Sequence, residues 1–351
     1  MNSKASSSDT VGVIGAGSFG TALANLLAAN RDVYLYARRP EVAAALQRDR
    51  AYKGRPLHDR VQIITDLDLL TRRCELIFPV VPSTSFRPLL LELAPMLLPS
   101  HKIIHGTKGL YVDLPPGETL QTVKHLRREQ VHTMSELIRA ETVVLRVGCV
   151  AGPNLAHEIV EGQPAACVVA SPFEEVIREG QSALRSSRFR VHGNHDLVGI
   201  ELAGVLKNIM AIASGILHGQ GYGDNTKALL VTHGLAEMIY IGTDLGADVR
   251  AFLGLGGIGD LVATCSSPHS RNFTVGYRLG RGELLQDILA DMDEVAEGIN
   301  TVAIVYALIA GHRISAPITL TLHRILFEQM DISKGMRLLM EYPFTEDAGF
   351  L

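Results

Sequence analysis

A glycine-rich turn near the start of the chain limits the possible folds more than any other feature. The segment VGVIGAGSFGTALANLLA places Gly15, Gly17 and Gly20 between an apolar β-branched run and an amphipathic helical pattern. In such a strand–turn–helix, the first glycine permits a tight turn and the second lets a pyrophosphate approach the backbone. The third allows the helix to pack closely on the strand. The pattern predicts a nucleotide-binding βαβ unit, with a purely structural turn as the alternative.

Short apolar runs alternate with helical patterns from residue 11 to about residue 195. The runs are VGVI, DVYLYA, ELIFPVV, KIIHG, VVLRVGCV, ACVVA and FRVH. Such alternation predicts an α/β domain with a Rossmann-like, doubly wound and mostly parallel sheet. Pro79 indicates an edge strand or a kink, because proline cannot donate to the ladder. The charged segment 122–141 predicts a surface helix, with a partner-binding helix as the alternative.

Helical periodicity replaces the strand pattern after about residue 195. It covers residues 196–218, 224–246, 298–311 and 315–329. We therefore expect an NAD(P)-binding domain over residues 10–195 and an all-helical substrate domain over residues 196–341. Residues 1–9 and 342–351 are expected to be tails, the first of them disordered.

A second glycine pattern, Gly254, Gly256 and Gly259, lies in the helical half without a preceding β-branched strand. We interpret it as a loop that delivers Asp260 to a specific place, not as a second nucleotide site.

Charge and cysteine content exclude several classes of protein. The chain has 33 Lys+Arg against 37 Asp+Glu, a net charge of -4, which argues against nucleic-acid binding. The four cysteines are scattered without a CxxC pair, and no HExxH motif or carboxylate cluster offers a metal site. No uninterrupted apolar run of about 18 residues or secretory signal is present, so we expect no membrane span and a cytoplasmic protein.

Two arginines bear on the choice of nucleotide. Arg38 and Arg39 follow DVYLYA, where NAD-binding sheets place an acidic residue for the ribose hydroxyls. Guanidinium groups suit a 2′-phosphate and offer no acceptor to a 2′-hydroxyl. The sequence therefore favours NADP(H), with NAD(H) possible. Two solvated loop arginines are the alternative.

The apolar segment GIELAGVLKNIMAIASGIL contains a lysine near its middle. Lys207 and Asn208 share a helix face with Gly204, Ala211 and Gly215, so an ammonium and an amide project from a small-sided face. Such a face can form a groove for a ligand. The alternative is a lysine that extends to solvent.

Further polar groups occur where ligands of α/β proteins bind. Lys108 follows a strand in HGTKGL, and the turn AGPNLAHEI can offer backbone N–H groups to an anion. The loop-rich segment GIGDLVATCSSPHSRNF adds carboxylate, hydroxyl, guanidinium and amide groups from Asp260, Thr264, Ser270, Arg271 and Asn272. Two lysines, an aspartate and an Arg-Asn pair beside a nucleotide domain suggest reduction of a phosphorylated carbonyl.

The order of motifs resembles the NAD(P)-dependent glycerol-3-phosphate dehydrogenases. The motifs are GAGSFGTALA, VVPS, TKGL, GPNLA-E, LKN, GLAE, GDL-TC, SRN and VAEG, over roughly residues 10–335. The resemblance implies interconversion of dihydroxyacetone phosphate and sn-glycerol 3-phosphate, a precursor of phospholipids. It also implies that Lys207 is the catalytic acid/base.

The resemblance further implies two sets of binding residues. The substrate would be bound by Lys108, Gly152, Asn154, Lys207, Asn208, Asp260, Thr264, Ser270, Arg271 and Asn272. The nucleotide would be bound by Gly15, Gly17, Ser18, Phe19, Gly20, Arg38, Arg39, Lys108, Ala156, Arg271, Val295 and Glu297. We also expect a homodimer.

Two alternatives stay open at this point. One is a related β-hydroxyacid-type dehydrogenase, whose substrate carries a carboxylate. The other is a nucleotide-sensing module without catalysis. Ala151 and His233 depart from the serine and arginine that are usual in the family. Those two departures put local contacts in doubt.

Overall fold

The computed structural model describes residues 10–120, 122–292, 295–310 and 314–342. The predicted tail 1–9, and the predicted C-terminal tail beyond residue 342, lie outside the described residues. The chain divides into two compact units. The first extends to Thr107 and continues over Met134–Leu197, and the second combines Lys108–Thr133 with the chain from Val198. The predicted domain limits placed Lys108–Thr133 in the first domain, whereas this segment packs with the second unit.

The first unit is built around one large sheet. The strands of the described chain are β1 (Thr10–Ile14), β2 (Asp32–Tyr36), β3 (Ala51–Tyr52), β4 (Arg55–Pro56), β5 (Val61–Ile64), β6 (Leu76–Pro79), β7 (Lys102–His105), β8 (Tyr111–Val112), β9 (Val131–His132), β10 (Arg146–Ala151), β11 (Ala165–Ala170) and β12 (Phe189–Asn194). Eight of them form a sheet in the order β12-β11-β10-β7-β6-β1-β2-β5. Neighbouring strands are parallel except β10 and β11. The predicted doubly wound α/β fold is confirmed.

Helices cover this sheet because their apolar residues recur at helical spacing. They are α1 (Ser18–Ala28), α2 (Pro40–Asp49), α3 (Leu67–Arg73), α4 (Ser83–Leu93), α5 (Met134–Glu141), α6 (Ala156–Val160) and α7 (Glu174–Leu184). Leu23 and Leu27 of α1 are fully buried in the same core as Val13 and Leu35 of the sheet. Asp66 caps α3 by accepting from two backbone N–H groups. The strand order places the carboxyl ends of β1 and β2 side by side.

The second unit contains the long helices. They are α8 (Leu197–Gly219), α9 (Asp224–Asp244), α10 (Val249–Phe252), α11 (Asp260–Ser266), α12 (Arg271–Gly280), α13 (Leu285–Ala290), α14 (Glu297–Ile309), α15 (Pro317–Phe327) and α16 (Ile332–Met340). Within the described residues, α8 alone is long and apolar enough to cross a membrane, and 94% of its apolar window is buried inside the protein. The predicted all-helical half is confirmed.

Three local predictions were wrong. Pro79 lies in a strand between β1 and β7, at its last residue, where its carbonyl still accepts from the N–H of Gly106. Segment 122–141 is α-helical over α5, and the remainder is largely irregular, with a 3-10 turn at Arg128–Gln130 followed by strand β9. The second glycine pattern forms a π-helical turn, Leu255–Gly259, with Gly254 directly before it, instead of a loop. The predicted delivery of Asp260 is retained, because the turn runs directly into α11, whose first residue is Asp260.

Candidate active site

The first glycine turn has the geometry that its spacing predicts. Gly15 has a φ of 119°, and a Cβ there would lie 2.8 Å from the carbonyl oxygen of Val80. A Cβ at Gly20 would lie 1.7 Å from the carbonyl oxygen of Gly15, so the helix packs directly on the turn. Gly17 has no atom within 4 Å of its Cβ position. The turn therefore has no space for a side chain at Gly15 or Gly20, whereas the space beside Gly17 is empty.

The open side coincides with the N-terminus of α1. Gly17 precedes the helix, whose first residues are Ser18 and Phe19. No side chain caps the helix, so its first N–H groups and its dipole favour an anion there. These features fit the pyrophosphate of a dinucleotide.

Arg38 and Arg39 lie immediately beyond β2, at the same edge of the sheet. Both are exposed, and Arg39 approaches Glu41 at 3.9 Å with both side chains 71% exposed. Exposed ion pairs of this kind contribute little and are easily exchanged for another anion. Both guanidinium groups are therefore accessible to an anionic ligand, and their role in binding a 2′-phosphate stays a prediction.

The GPN turn after β10 supplies a second polar feature of the first unit. Gly152 has a φ of 120°, which turns the chain toward α6 and its first residue, Ala156. Asn154 has its Nδ2 and Oδ1 atoms buried without a hydrogen bond among the described residues. A buried amide with no partner is costly, so this side chain fits the polar atoms of a ligand.

A buried charge cluster is found in the second unit. Lys207, on α8, is 5% exposed, and its Nζ donates to Oδ1 of Asp260 at 2.7 Å and to Oγ1 of Thr264. Lys108 donates to the other carboxylate oxygen, Oδ2, at 2.5 Å. One buried carboxylate therefore holds two ammonium groups, and Lys207 does not extend to solvent.

The backbone around this cluster explains how it forms. Asp260 is the first residue of α11, and Thr264 lies one turn later, where its hydroxyl also bonds the Asp260 carbonyl oxygen at 2.6 Å. Asn208 donates from Nδ2 to the carbonyl oxygen of Lys108 at 3.3 Å. The Lys108 side chain passes over Gly204 of α8, with its Cγ 3.8 Å from the position a Cβ would take.

The far end of the small-sided face of α8 serves a different purpose. A Cβ at Gly215 would lie 2.1 Å from the carbonyl oxygen of Phe273, and one at Gly276 would lie 1.9 Å from that of Ile212. There α8 packs against α12 at backbone distance. The predicted groove is therefore replaced by a helix–helix contact beyond Asn208.

Burial and charge set the proton affinities of the cluster. Burial lowers the pKa of Lys207, Asp260 opposes this by raising the pKa, and Lys108 lowers it further. The net pKa of Lys207 is about 8. Burial alone raises the pKa of Asp260, but attraction to Lys108 and Lys207 outweighs burial and lowers it. The cluster thus pairs a carboxyl group of lowered pKa with a lysine whose pKa lies well below its usual range.

The SRN segment lies at the start of α12. The Ser270 side chain caps this helix by accepting from the N–H of Phe273. Arg271 donates to the carbonyl oxygen of Val295 at 2.9 Å, and Oδ1 of Asn272 accepts from the N–H of Gly298 at 3.0 Å. The SRN and VAEG motifs are therefore joined by hydrogen bonds, and Glu297, the first residue of α14, lies in the joined segment.

Sequence reasoning missed a buried carboxylate on α9. Glu237 is 3% exposed and accepts from the N–H groups of Ile318 and Thr319 at 2.7 and 2.8 Å, and from the Thr319 hydroxyl. Burial raises its pKa to about 7, against the lowering effect of these hydrogen bonds. It caps the N-terminus of α15 from another helix. The sequence feature that could have indicated this buried carboxylate is the glutamate of the otherwise apolar GLAE segment.

The described residues contain no group of three or more His, Cys, Asp or Glu side chains that could hold a metal ion. The four cysteines are buried free thiols.

Comparisons with known proteins agree with the motifs. Residues 10–177 match the family described as NAD-dependent glycerol-3-phosphate dehydrogenase N-terminus, and residues 196–337 match the corresponding C-terminus. The glycerol-3-phosphate dehydrogenase (NAD(P)+) of Pseudomonas aeruginosa is 38% identical over 346 residues, 97% of each chain. A Salinibacter ruber enzyme of the same name is 40% identical over 329 residues, 92% of this chain and 91% of that protein.

A solved structure shows the same fold. The crystal structure of glycerol-3-phosphate dehydrogenase from Coxiella burnetii is 31% identical, with a TM-score of 0.85 over 95% of this chain and 99% of that chain. Identity of this extent, over both halves of the chain, confirms the resemblance that the motifs indicated. The chain therefore belongs to the NAD(P)-dependent glycerol-3-phosphate dehydrogenase family, whose members are oxidoreductases.

Proposed function

We propose that this protein interconverts dihydroxyacetone phosphate and sn-glycerol 3-phosphate, with NADP(H) preferred over NAD(H) and Lys207 as the acid/base. The observation that carries the proposal is the buried Lys207–Asp260–Lys108 cluster. The buried Lys207 ammonium and the partly buried Lys108 ammonium share one carboxylate, and an excess of positive charge at a poorly solvated place suits a reaction that develops negative charge. The relatives named above bear the same activity in their names.

Lys207 supplies the proton in this proposal. A nicotinamide nucleotide, when bound, would supply the hydride that reduces the ketone carbon. As negative charge builds on the ketone oxygen, the Lys207 ammonium donates a hydrogen bond to it and then its proton. A lysine pKa of about 8 allows the proton to be given in reduction and taken in oxidation near neutral pH. Asp260 keeps the ammonium in place, and Thr264 fixes its second hydrogen bond.

The nucleotide is held by the first unit in this proposal. The open turn at Gly17 and the uncapped N-terminus of α1 suit its pyrophosphate. Arg38 and Arg39 suit the 2′-phosphate that distinguishes NADP(H). The other residues assigned to the nucleotide by resemblance are Ser18, Phe19, Lys108, Ala156, Arg271, Val295 and Glu297.

The substrate phosphate is held by the SRN segment. The Arg271 guanidinium is a planar fork that matches a phosphate dianion, and it is exposed at the N-terminus of α12. Asn272 keeps its Nδ2 donor available, since Oδ1 is the atom that bonds Gly298. The resemblance also assigns Gly152 and Asn154 to the substrate, and the Asn154 amide is buried without a hydrogen bond among the described residues.

Neither alternative from the sequence has comparable support. The relatives at 31–40% identity described above are named glycerol-3-phosphate dehydrogenases, which favours that activity over a β-hydroxyacid-type dehydrogenase. A sensing module has no need of two lysines on one buried aspartate. We further propose a homodimer in the cytoplasm. The buried free cysteines suit a reducing compartment. Sedimentation velocity and cell fractionation test these two points.

Oxidation of NADPH and NADH with dihydroxyacetone phosphate, followed side by side at 340 nm, tests the proposal. We expect turnover with both nucleotides and a higher kcat/KM for NADPH. The product should be sn-glycerol 3-phosphate. Absence of turnover with either nucleotide, in protein that binds NADPH, would instead support the sensing module.

A further inference from the structure

A hydroxyl group on α8 contacts the last turn of α11 in the second unit. Ser214 is 1% exposed, and its Oγ donates to the carbonyl oxygen of Cys265 at 2.8 Å. Cys265 is itself 3% exposed, so both ends of this hydrogen bond are buried. A buried carbonyl that loses its donor is left unsatisfied, which makes the bond costly to break. The chemistry assigned to Lys207 and Asp260 makes no direct use of this serine.

The end of α11 explains why a donor is needed there. Carbonyl groups in the last turn of a helix have no partner within that helix. α11 ends at Ser266, and Ser267 at its C-cap is extended, with a φ of -99° and a ψ of 125°. The chain therefore leaves α11 at once, and α8 supplies the donor to Cys265. A helical serine can donate to the carbonyl of its own preceding turn, whereas Ser214 joins two helices.

Ser214 lies on the face of α8 that carries Lys207. The two residues are seven positions apart, which is close to two helical turns. Lys207 contacts the start of α11 through the Asp260 carboxylate, and its ammonium also donates to Thr264. Ser214 contacts the last turn of α11 at Cys265. One face of α8 therefore holds α11 near both of its ends.

The second contact fixes the direction of α11. Around a single contact at Asp260, the helix would remain free to turn, and Thr264 would move with it. Leu261 and Cys265, one turn apart, are 0% and 3% exposed, but apolar contacts are non-directional. A hydrogen bond is directional, because it weakens steeply away from linear geometry. The Ser214 bond therefore sets the rotation and register of α11 against α8.

We propose that Ser214 is a positioning residue for the reaction of Lys207. It acts through α11, because its hydrogen bond to Cys265 keeps the Asp260 carboxylate and the Thr264 hydroxyl aligned with the Lys207 ammonium. The ammonium then keeps the direction in which it gives its proton. The inference rests on the proposed function, in which Lys207 is the acid/base.

Ser214→Ala tests the proposal. The change removes the hydroxyl and keeps the helix, since alanine is the best helix former. We expect kcat for reduction of dihydroxyacetone phosphate, followed at 340 nm, to fall about five- to fiftyfold, below the roughly 10²-fold that a 1 Å misplacement can cost. KM for this substrate and Kd for NADPH should stay within about twofold, because the Ser214 bond holds α11 and not the SRN segment or the nucleotide turn.

Ser171→Ala is the matched control in the first unit. Ser171 is 0% exposed, its Oγ donates to the carbonyl oxygen of Val147 at 2.7 Å, and it accepts from the N–H of Phe173. This variant therefore loses at least as much buried hydrogen bonding as Ser214→Ala, and Tm should fall by at least as much. Its kcat should stay within about twofold of wild type. Equal losses of kcat in the two variants would trace the effect to general destabilisation and overturn the proposal.

A double-mutant cycle separates positioning from a structural effect. In Lys207→Ala the ammonium is absent, so the alignment of α11 no longer affects proton transfer. Adding Ser214→Ala to that variant should change the residual kcat by less than about twofold. The same proportional loss with and without Lys207 would overturn the proposal, because Ser214 would then act independently of the lysine.

Hydrogen exchange measures the hold on α11 without turnover. Backbone amides of Asp260–Ser266 should exchange at least about fivefold faster in Ser214→Ala than in wild type or Ser171→Ala. Unchanged exchange would overturn the proposal even if kcat falls. Absence of turnover in the wild-type chain would overturn the proposed function instead, and faster exchange in Ser214→Ala would then still show that Ser214 holds α11.

Discussion

The carboxylate of Asp260 accepts a 2.7 Å hydrogen bond from the ammonium of Lys207, 53 positions earlier in the chain. Both groups are buried, and the same carboxylate binds Lys108 through its second oxygen. The pair gives Lys207 a fixed direction and opposes the effect of burial on its pKa. An ammonium so placed can act on a developing oxyanion without first reorganising water.

Lys207→Ala should lower kcat for reduction of dihydroxyacetone phosphate by about 10²–10⁴-fold, the usual contribution of general acid–base help. Affinity for NADPH, measured by fluorescence titration, should stay within a few-fold. Lys227→Ala, on α9, removes a lysine that pairs only at the surface with Asp224 and serves as the control. A near-normal kcat in Lys207→Ala would remove this lysine from the chemistry.

The pH dependence should follow the lysine. Reduction needs the ammonium form, so kcat/KM should fall as pH rises through about 8, and the oxidation rate should rise over the same interval. Asp260 raises the pKa of Lys207, so Asp260→Asn should move the midpoint to lower pH. Lys108→Met should move it to higher pH, because Lys108 lowers that pKa. Identical midpoints in all three proteins would assign the profile to another group.

Arg38→Asp, alone or with Arg39→Ser, should weaken NADPH far more than NADH. Loss of a hydrogen bond to a charged group costs about 1.5–3 kcal/mol, which corresponds to at least tenfold in Kd. Arg48→Asp makes the same charge change at an exposed position of α2 and should affect neither nucleotide. If both nucleotides weaken equally, the arginines do not read the 2′-phosphate.

Arg271 should matter more for the phosphorylated substrate than for dihydroxyacetone alone. Arg271→Lys keeps the charge but loses the bidentate geometry, so kcat/KM for dihydroxyacetone phosphate should remain substantially reduced. The comparison is kcat/KM for the phosphate ester against dihydroxyacetone with and without phosphite. Arg281→Lys, just beyond α12, is the matched control. Equal proportional losses with both substrates would show that Arg271 does not bind the phosphate.

Glu237→Gln should destabilise the protein by about 1–3 kcal/mol, because an NH2 group replaces an oxygen that accepts buried backbone N–H groups. Urea unfolding measures the change. Glu92→Gln, at an exposed position of α4, should change stability by less than about 0.5 kcal/mol. Unchanged stability in Glu237→Gln would mean that α15 is held by its apolar packing alone.

The sequence by itself determined the elements and the order of the fold. Apolar runs predicted the strands of the sheet apart from the edge strand Val61–Ile64, and helical spacing predicted α8, α9, α14 and α15 within a few residues. Gly15, Gly17 and Gly20 specified the turn, because their effects depend on backbone conformation and local space. These features are local, and local patterns can be read from neighbouring residues.

Tertiary structure alone decided how distant groups meet. Lys108, Lys207 and Asp260 form one cluster because three separate segments pack together, and no spacing along the chain encodes their distances. The same holds for Glu237, which caps a helix 82 positions later at Thr319. Pro79 is tolerated in a central strand because it lies at the last residue, a position that only the register of the sheet fixes. Such features depend on packing between elements. Packing fixes the position of Lys207, and the burial that results from packing lowers its pKa.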